Sequence, residues 1–128
     1  MKGHIFIVTI VLLAMAGALS LAGQNTQTQQ NQKINGYLID IMCGSKHASE
    51  GASYGAQHTK SCLQMPDCVK SGYAVLTADK KILRFDPKGN ELAAKIISSN
   101  GKDAGWEIQV TGSLQNDQIA VSSIELTK

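Results

Sequence analysis

WEIQVTGSLQ, residues 106–115, alternates without a slip. Trp106, Ile108, Val110, Gly112 and Leu114 fall on one side, and Glu107, Gln109, Thr111 and Ser113 on the other. A period of two is the mark of a half-buried strand. Gln115-Asn116-Asp117 turns the chain, and Gln118 to Leu126 reads as the last strand. Its apolar positions switch from odd (Ile119, Val121) to even (Ile124, Leu126) around Ser122-Ser123. One extra residue there, a β-bulge, would restore both pairs to one face.

Working back from this stretch, Asn90 is positioned to cap a helix over residues 91–99. Leu92 with Ile96 and Ala93 with Ile97 make its apolar stripe, and Asn100-Gly101 ends it. Asp86-Pro87-Lys88-Gly89 before it is a turn signal. Residues 73–78 and 81–85 read as strands joined tightly at Asp79-Lys80. Residues 34–41 alternate at Tyr37, Ile39 and Ile41, which suits a first strand. Residues 42–72 lack β-periodicity, and a loop this long inside a compact domain is usually functional. Residues 61–71 have room for one or two helical turns, interrupted near Pro66 and ended by Gly72.

The expected order, β-β-β-α-β-β, is that of the OB-fold, a five-stranded Greek-key barrel. An unrelated α+β sandwich shares that order. The expectation is a mainly β domain with small α+β content, an OB-like barrel with a long Cys/His loop between strands one and two.

The N-terminus reads as a secretory signal peptide over residues 1–22. Lys2 supplies the positive end, residues 5–13 are apolar apart from Thr9, and Ser20-Leu21-Ala22 places small residues before Gly23. The apolar run is short for a membrane span of about 20 residues. Gln24 stands where a lipoprotein would need its cysteine. Residues 23–33 are polar and read as a disordered linker, which leaves 34–128 for one small domain. The location expected is secreted or periplasmic, with no stable membrane insertion once the leader is cleaved. The chain carries 12 basic and 10 acidic side chains. With Lys2 removed the charge is close to zero. There is no Lys/Arg run or basic stripe, so nucleic acid is not an expected partner.

Three cysteines cannot all pair within one exported chain. The spacing is Cys43-x14-His58-x3-Cys62-x5-Cys68. His58 and Cys62, four apart, would share a face if they lie on one helical turn. With Cys43 and Cys68 they would make a three-cysteine, one-histidine shell for a tetrahedral ion, zinc first and copper second. Asp40 and His47 are candidates for supporting those ligands by hydrogen bond; a solvated role is the plainer reading of each. The competing assignment is a disulfide, Cys62–Cys68 or Cys43 with one of them, plus one free thiol. Met42 and Met65 read as packing residues, and Tyr73 and Trp106 as core or rim aromatics. No C-x-x-C occurs, no nucleophile elbow frames a serine, and no Gly-rich phosphate loop is present. No catalytic motif is recognisable.

Gly36-x3-Asp40-x2-Cys43, then His58-x3-Cys62, Cys68-x3-Gly72, and the strand Val110-Thr111-Gly112-Ser113-Leu114 resemble a group of small exported bacterial proteins with a Cys/His-rich first loop on an OB-like barrel. The resemblance runs from Gly36 to the C-terminus. It implies export and a small barrel, favours Cys43, His58, Cys62 and Cys68 over His47, and assigns no activity. The function expected is that of an exported metal-binding module in a structural, sensory or carrier role. The alternative is a disulfide-stapled module that binds a small molecule or protein without metal.

Overall fold

The computed structural model describes residues 30–128. Strand β1 (Gln32–Asp40) leads into four short helices, α1 (Ile41–His47), α2 (Ala52–Gln57), α3 (Lys60–Leu63) and α4 (Pro66–Ser71), with a 3-10 turn at Ala48–Glu50 after α1. Then come β2 (Tyr73–Leu76), β3 (Ile82–Phe85), α5 (Pro87–Ser99), β4 (Glu107–Gln115) and β5 (Gln118–Leu126). The leader expected over 1–22 lies outside the described residues. So does most of the expected linker, but its last residues do not behave as one. Gln32 and Lys33 already belong to β1 and pair with Gly112 and Thr111 of β4. Main-chain pairing needs no apolar side chain, which is why polarity hid this part of the strand.

The strands form one mixed sheet in the order β1-β2-β3-β5-β4, and β4 also pairs with β1, so the ring closes. All pairings are antiparallel except β3 with β5, where Arg84 faces Gln118 and Phe85 faces Ile119. The bulge falls where the switch of apolar parity places it. Thr111 faces Ser123 and Gly112 faces Val121, leaving Ser122 as the extra residue. Ile119 and Val121 are buried in the core, and Ile124 and Leu126 pack against it.

The main core is Leu38, Val75, Leu83, Phe85, Trp106, Ile108, Val110, Ile119 and Val121, with Ala93 and Ile97 from α5 and Leu63 from α3. Trp106 is fully buried, and Tyr73 is buried with its hydroxyl donating to the Leu63 carbonyl, so both are core aromatics. A second cluster, Ile39, Ala74 and Leu76, packs with Ile41, Tyr54 and Ile82. All four residues of β2 are buried. That accounts for its unbroken apolar run, which a sheet covered on both faces requires.

Three expectations are corrected. Helix occupies 39% of the described residues and strand 37%, so the fold is a small α+β fold rather than mainly β. Residues 42–57 are helical turns rather than a loop, whereas the turns expected over 61–71 are present as α3 and α4, interrupted near Pro66 and ended at Gly72. Each of the four helices is too short to display a 3.6-residue period, and three of the four start from a local device. Asp40 and Thr59 cap α1 and α3 with their side chains, and Pro66 opens α4. Helix α5 likewise starts earlier than expected. Asp86 is its cap, accepting from the Gly89 amide at 2.9 Å, and Pro87 is its first residue. Asn90 instead accepts from the Tyr73 amide at 2.7 Å. An Asp-Pro pair that reads as a turn is also a helix start.

Gly55 lets α2 lie against β1. A methyl group there would run into Tyr37 at Cβ, Cγ and Cδ2. Because Cβ is among the atoms met, rotating the ring does not clear the space. Gly55→Ala gains about 1 kcal/mol of helix propensity against an overpacking cost of about 1–3 kcal/mol. The net expectation is a lower melting temperature, read by circular dichroism. A variant that melts above the parent would show that α2 does not sit tightly on β1. Among the described residues, no helix is long and apolar enough to cross a membrane.

Candidate metal centre

Asp40 ends β1 and caps α1. Its Oδ1 accepts from the Cys43 amide at 2.9 Å, which places Cys43 in the first turn of α1. Helix α4 is latched beside α1 by two bonds. The Ile41 amide donates to the Gly72 carbonyl at 2.9 Å, and the Met42 amide to Ser71 Oγ at 3.1 Å. Ser71 Oγ in turn donates to the Cys68 carbonyl at 2.7 Å. This latch brings the Cys43 and Cys68 sulfurs to 4.0 Å. A carboxylate oxygen of Asp40 and both sulfurs lie within 4.8 Å of one another. Asp40 is fully buried, Cys68 is buried and Cys43 is partly exposed.

His58 joins through the carboxylate. Its Nε2 lies 2.9 Å from Asp40 Oδ2, and both side chains are almost fully buried. The segment carrying it is held from the far side. Gly105 donates to the His58 carbonyl, and the Lys60 amide donates to the Asp103 carbonyl at 2.6 Å. Both oxygens of Asp40 therefore have a hydrogen-bond partner. Burial alone pushes the Asp40 carboxyl up. Hydrogen bonds from His58, the Cys43 amide and Cys68 outweigh it and bring the value down to about 2. Burial, reinforced by Asp40 and then Cys43, pushes the Cys68 thiol up to about 12.

Tyr54 of α2 is a member of this neighbourhood that the sequence did not single out. It sits in a run without periodicity, and only its packing reveals it. Its ring stacks on His47 with centroids 4.6 Å apart and lies tilted against His58 at 5.1 Å. Burial raises its hydroxyl pKa, and the Cys43 sulfur, Asp40 and Cys62 add to the rise. His47 itself is half exposed, with Nδ1 2.6 Å from Glu50 Oε1. It buttresses Tyr54 and makes no hydrogen bond to Asp40, Cys43 or Cys68.

The four residues picked from spacing thus divide. Cys43 and Cys68 meet, with Asp40 as the third donor. His58 reaches the group by way of Asp40. Cys62 lies on α3, partly exposed and outside the group that closes. His58 and Cys62 do not share a helical face, because His58 is extended (φ −68°, ψ 121°) and the helix starts only after Thr59. All three cysteines are free thiols, so none of the competing disulfides, Cys62–Cys68 or Cys43 with either, is formed in the structure. The latch between α1 and α4 turns Cys68 towards Cys43 instead. Met65 is largely exposed, at 52%, so it is not the packing residue expected from the sequence.

Two thiols and one carboxylate at this separation suit a divalent ion of borderline softness. A cation among them would take the place of the Cys68 proton. No protein-family model matches the chain, and neither a curated protein nor a solved structure does.

Proposed function

We propose that the protein is a metal-binding module that takes one zinc ion on Cys43, Cys68 and Asp40. The observation that carries this reading is the convergence of these three donors within 4.8 Å of one another, with Cys68 brought from 25 residues along the chain to the Asp40–Cys43 turn. Buried polar groups are usually satisfied by fixed partners. Here a carboxylate and two thiols meet, and a cation would take the place of the thiol protons. His58 holds the carboxylate from behind, as hydrogen-bonded partners of metal ligands do. Copper ranks second, because one of the three donors is a hard carboxylate oxygen.

Three protein donors leave a fourth tetrahedral position for water or an incoming donor. A shell open on one side exchanges its ion more readily than a closed one. The role that follows is carrier or sensor rather than permanent staple. The scaffold is read as an OB-like barrel. Supporting this are the closed strand ring, the parallel β3–β5 pair and the placement of α5 between β3 and β4. On that reading the metal segment is the connection between strands one and two, where OB-folds commonly engage ligands.

The test is zinc uptake by the reduced protein, with cobalt as the spectroscopic stand-in. One equivalent should bind, and cobalt should show sulfur-to-metal charge-transfer absorption. Cys43→Ser or Cys68→Ser should weaken zinc by more than the roughly 10–100-fold that a hydrogen-bonded partner of a ligand is worth, while Cys62→Ser leaves uptake in place. Reduced protein that takes up no zinc, or a Cys62→Ser chain as impaired as Cys68→Ser, would overturn the assignment.

A further inference from the structure

We propose that Cys43 and Cys68 are a redox gate on this site: an incoming disulfide joins the two sulfurs to each other and the ion is released. The inference rests on the zinc reading and adds how the same site is emptied.

Three observations carry it. The sulfurs stand 4.0 Å apart, against about 2.05 Å in a disulfide. The latch between α1 and α4 holds the two segments together, through the Ile41–Gly72 and Met42–Ser71 bonds, so the sulfurs have only about 2 Å left to close. The two thiols are also unequal in access, since Cys68 is 2% exposed and Cys43 is partly exposed. That inequality sets an order of events. An external disulfide, RSSR, meets Cys43 first. The Cys43 thiolate forms a bond to one sulfur of RSSR and expels RS⁻, leaving a mixed disulfide on Cys43. Cys68 then attacks the Cys43 sulfur and expels the second RS⁻.

The balance is protein(S⁻)2·Zn²⁺ plus RSSR giving protein(S–S), Zn²⁺ and two RS⁻. Two electrons pass from the protein sulfurs to the external disulfide. Both sulfur donors are consumed, and of the three ligands only Asp40 remains. One carboxylate already engaged by His58 and the Cys43 amide does not hold a zinc ion. The third thiol takes no part: Cys62 lies outside the donor group.

Reduced, zinc-loaded protein is mixed with oxidised glutathione. Zinc release is followed with a chromophoric chelator, and the quenched protein is mapped by mass spectrometry. The expected result is one equivalent of zinc released, with loss of about 2 Da and a peptide pair linked through Cys43 and Cys68. Dithiothreitol should then restore uptake. Cys68→Ser should stop at a glutathione adduct on Cys43, and Cys62→Ser should behave as the parent. A linkage through Cys62, or zinc retained by protein already linked through Cys43 and Cys68, would overturn the gate. Failure of the reduced chain to take up zinc would overturn the metal reading and the gate with it. Mapping the same metal-free sample still decides on its own whether Cys43 and Cys68 form an exchanging pair.

Discussion

Replacing Asp40 with alanine is expected to remove about 2–4 kcal/mol of folding stability from the metal-free protein, the sum of a lost helix cap and an unsatisfied buried hydrogen-bonding group. Three losses combine. The cap of α1 goes with the bond from the Cys43 amide, worth about 1 kcal/mol. His58, buried beside it, loses the acceptor for Nε2, and an unsatisfied buried donor costs about 1–3 kcal/mol. The vacated space adds to both. Asp40→Asn keeps a capping oxygen and a polar neighbour for His58, so it should cost clearly less. Urea unfolding at neutral pH reads both variants. Equal losses, or a loss below about 1 kcal/mol in the alanine variant, would mean that Asp40 does not tie β1, α1 and the His58 segment together. The same carboxylate sets an acid limit. Its folded value of about 2 lies below the ordinary 3.8, so its contribution is present above pH 3.8. It is lost as pH falls from there through 2. The size is roughly 2 kcal/mol at about 1.4 kcal/mol per unit. Asp40→Asn should flatten this acid limb, while the parent loses stability across it.

That Asp40 matters this much was only half visible in the sequence. A carboxylate ending an apolar strand three residues before a cysteine can be weighed as a metal partner, but a solvated cap is the commoner meaning. Its burial under His58 is a tertiary fact. The strands fared better, because a period of two is a local property. Ile108, Val110, Ile119 and Val121 reach the core as their alternation requires, and even the bulge at Ser122 follows from parity. The helices of residues 41–71 left no such trace. Four to seven residues do not complete enough turns to write an amphipathic stripe, and their starts lie in single residues such as Thr59 and Pro66. The same shortness misdirects the reading of His58 and Cys62. Spacing by four implies a shared face only inside a helix, and here a helix boundary falls between them. Cysteine counting pointed to an unpaired thiol, but not to which thiols meet. That depended on Ser71 and Gly72 fastening α4 to α1.

Zinc affinity is expected to climb steeply with pH, and Cys68 is the reason. Burial, the Asp40 carboxylate and Cys43 hold its thiol at about 12 in the metal-free protein, so it is protonated throughout the neutral range. Zinc binds the thiolate, and the proton must leave for the bond to form. Each proton displaced from a group well below its pKa multiplies the apparent affinity by about ten per pH unit. Cys68 alone then accounts for about a hundredfold gain between pH 6 and pH 8. Competition against a chelator of known protonation behaviour measures the slope. Calorimetry in buffers of different ionisation enthalpy counts the protons, at least one per zinc. Cys68→Ser removes both the proton and the donor, so its residual binding should be weaker and its slope shallower by one proton. A parent slope shallower than tenfold per pH unit, or an unchanged slope in Cys68→Ser, would place the ion away from Cys68. The ligand set would then have to be sought around Cys62 and Tyr54 instead.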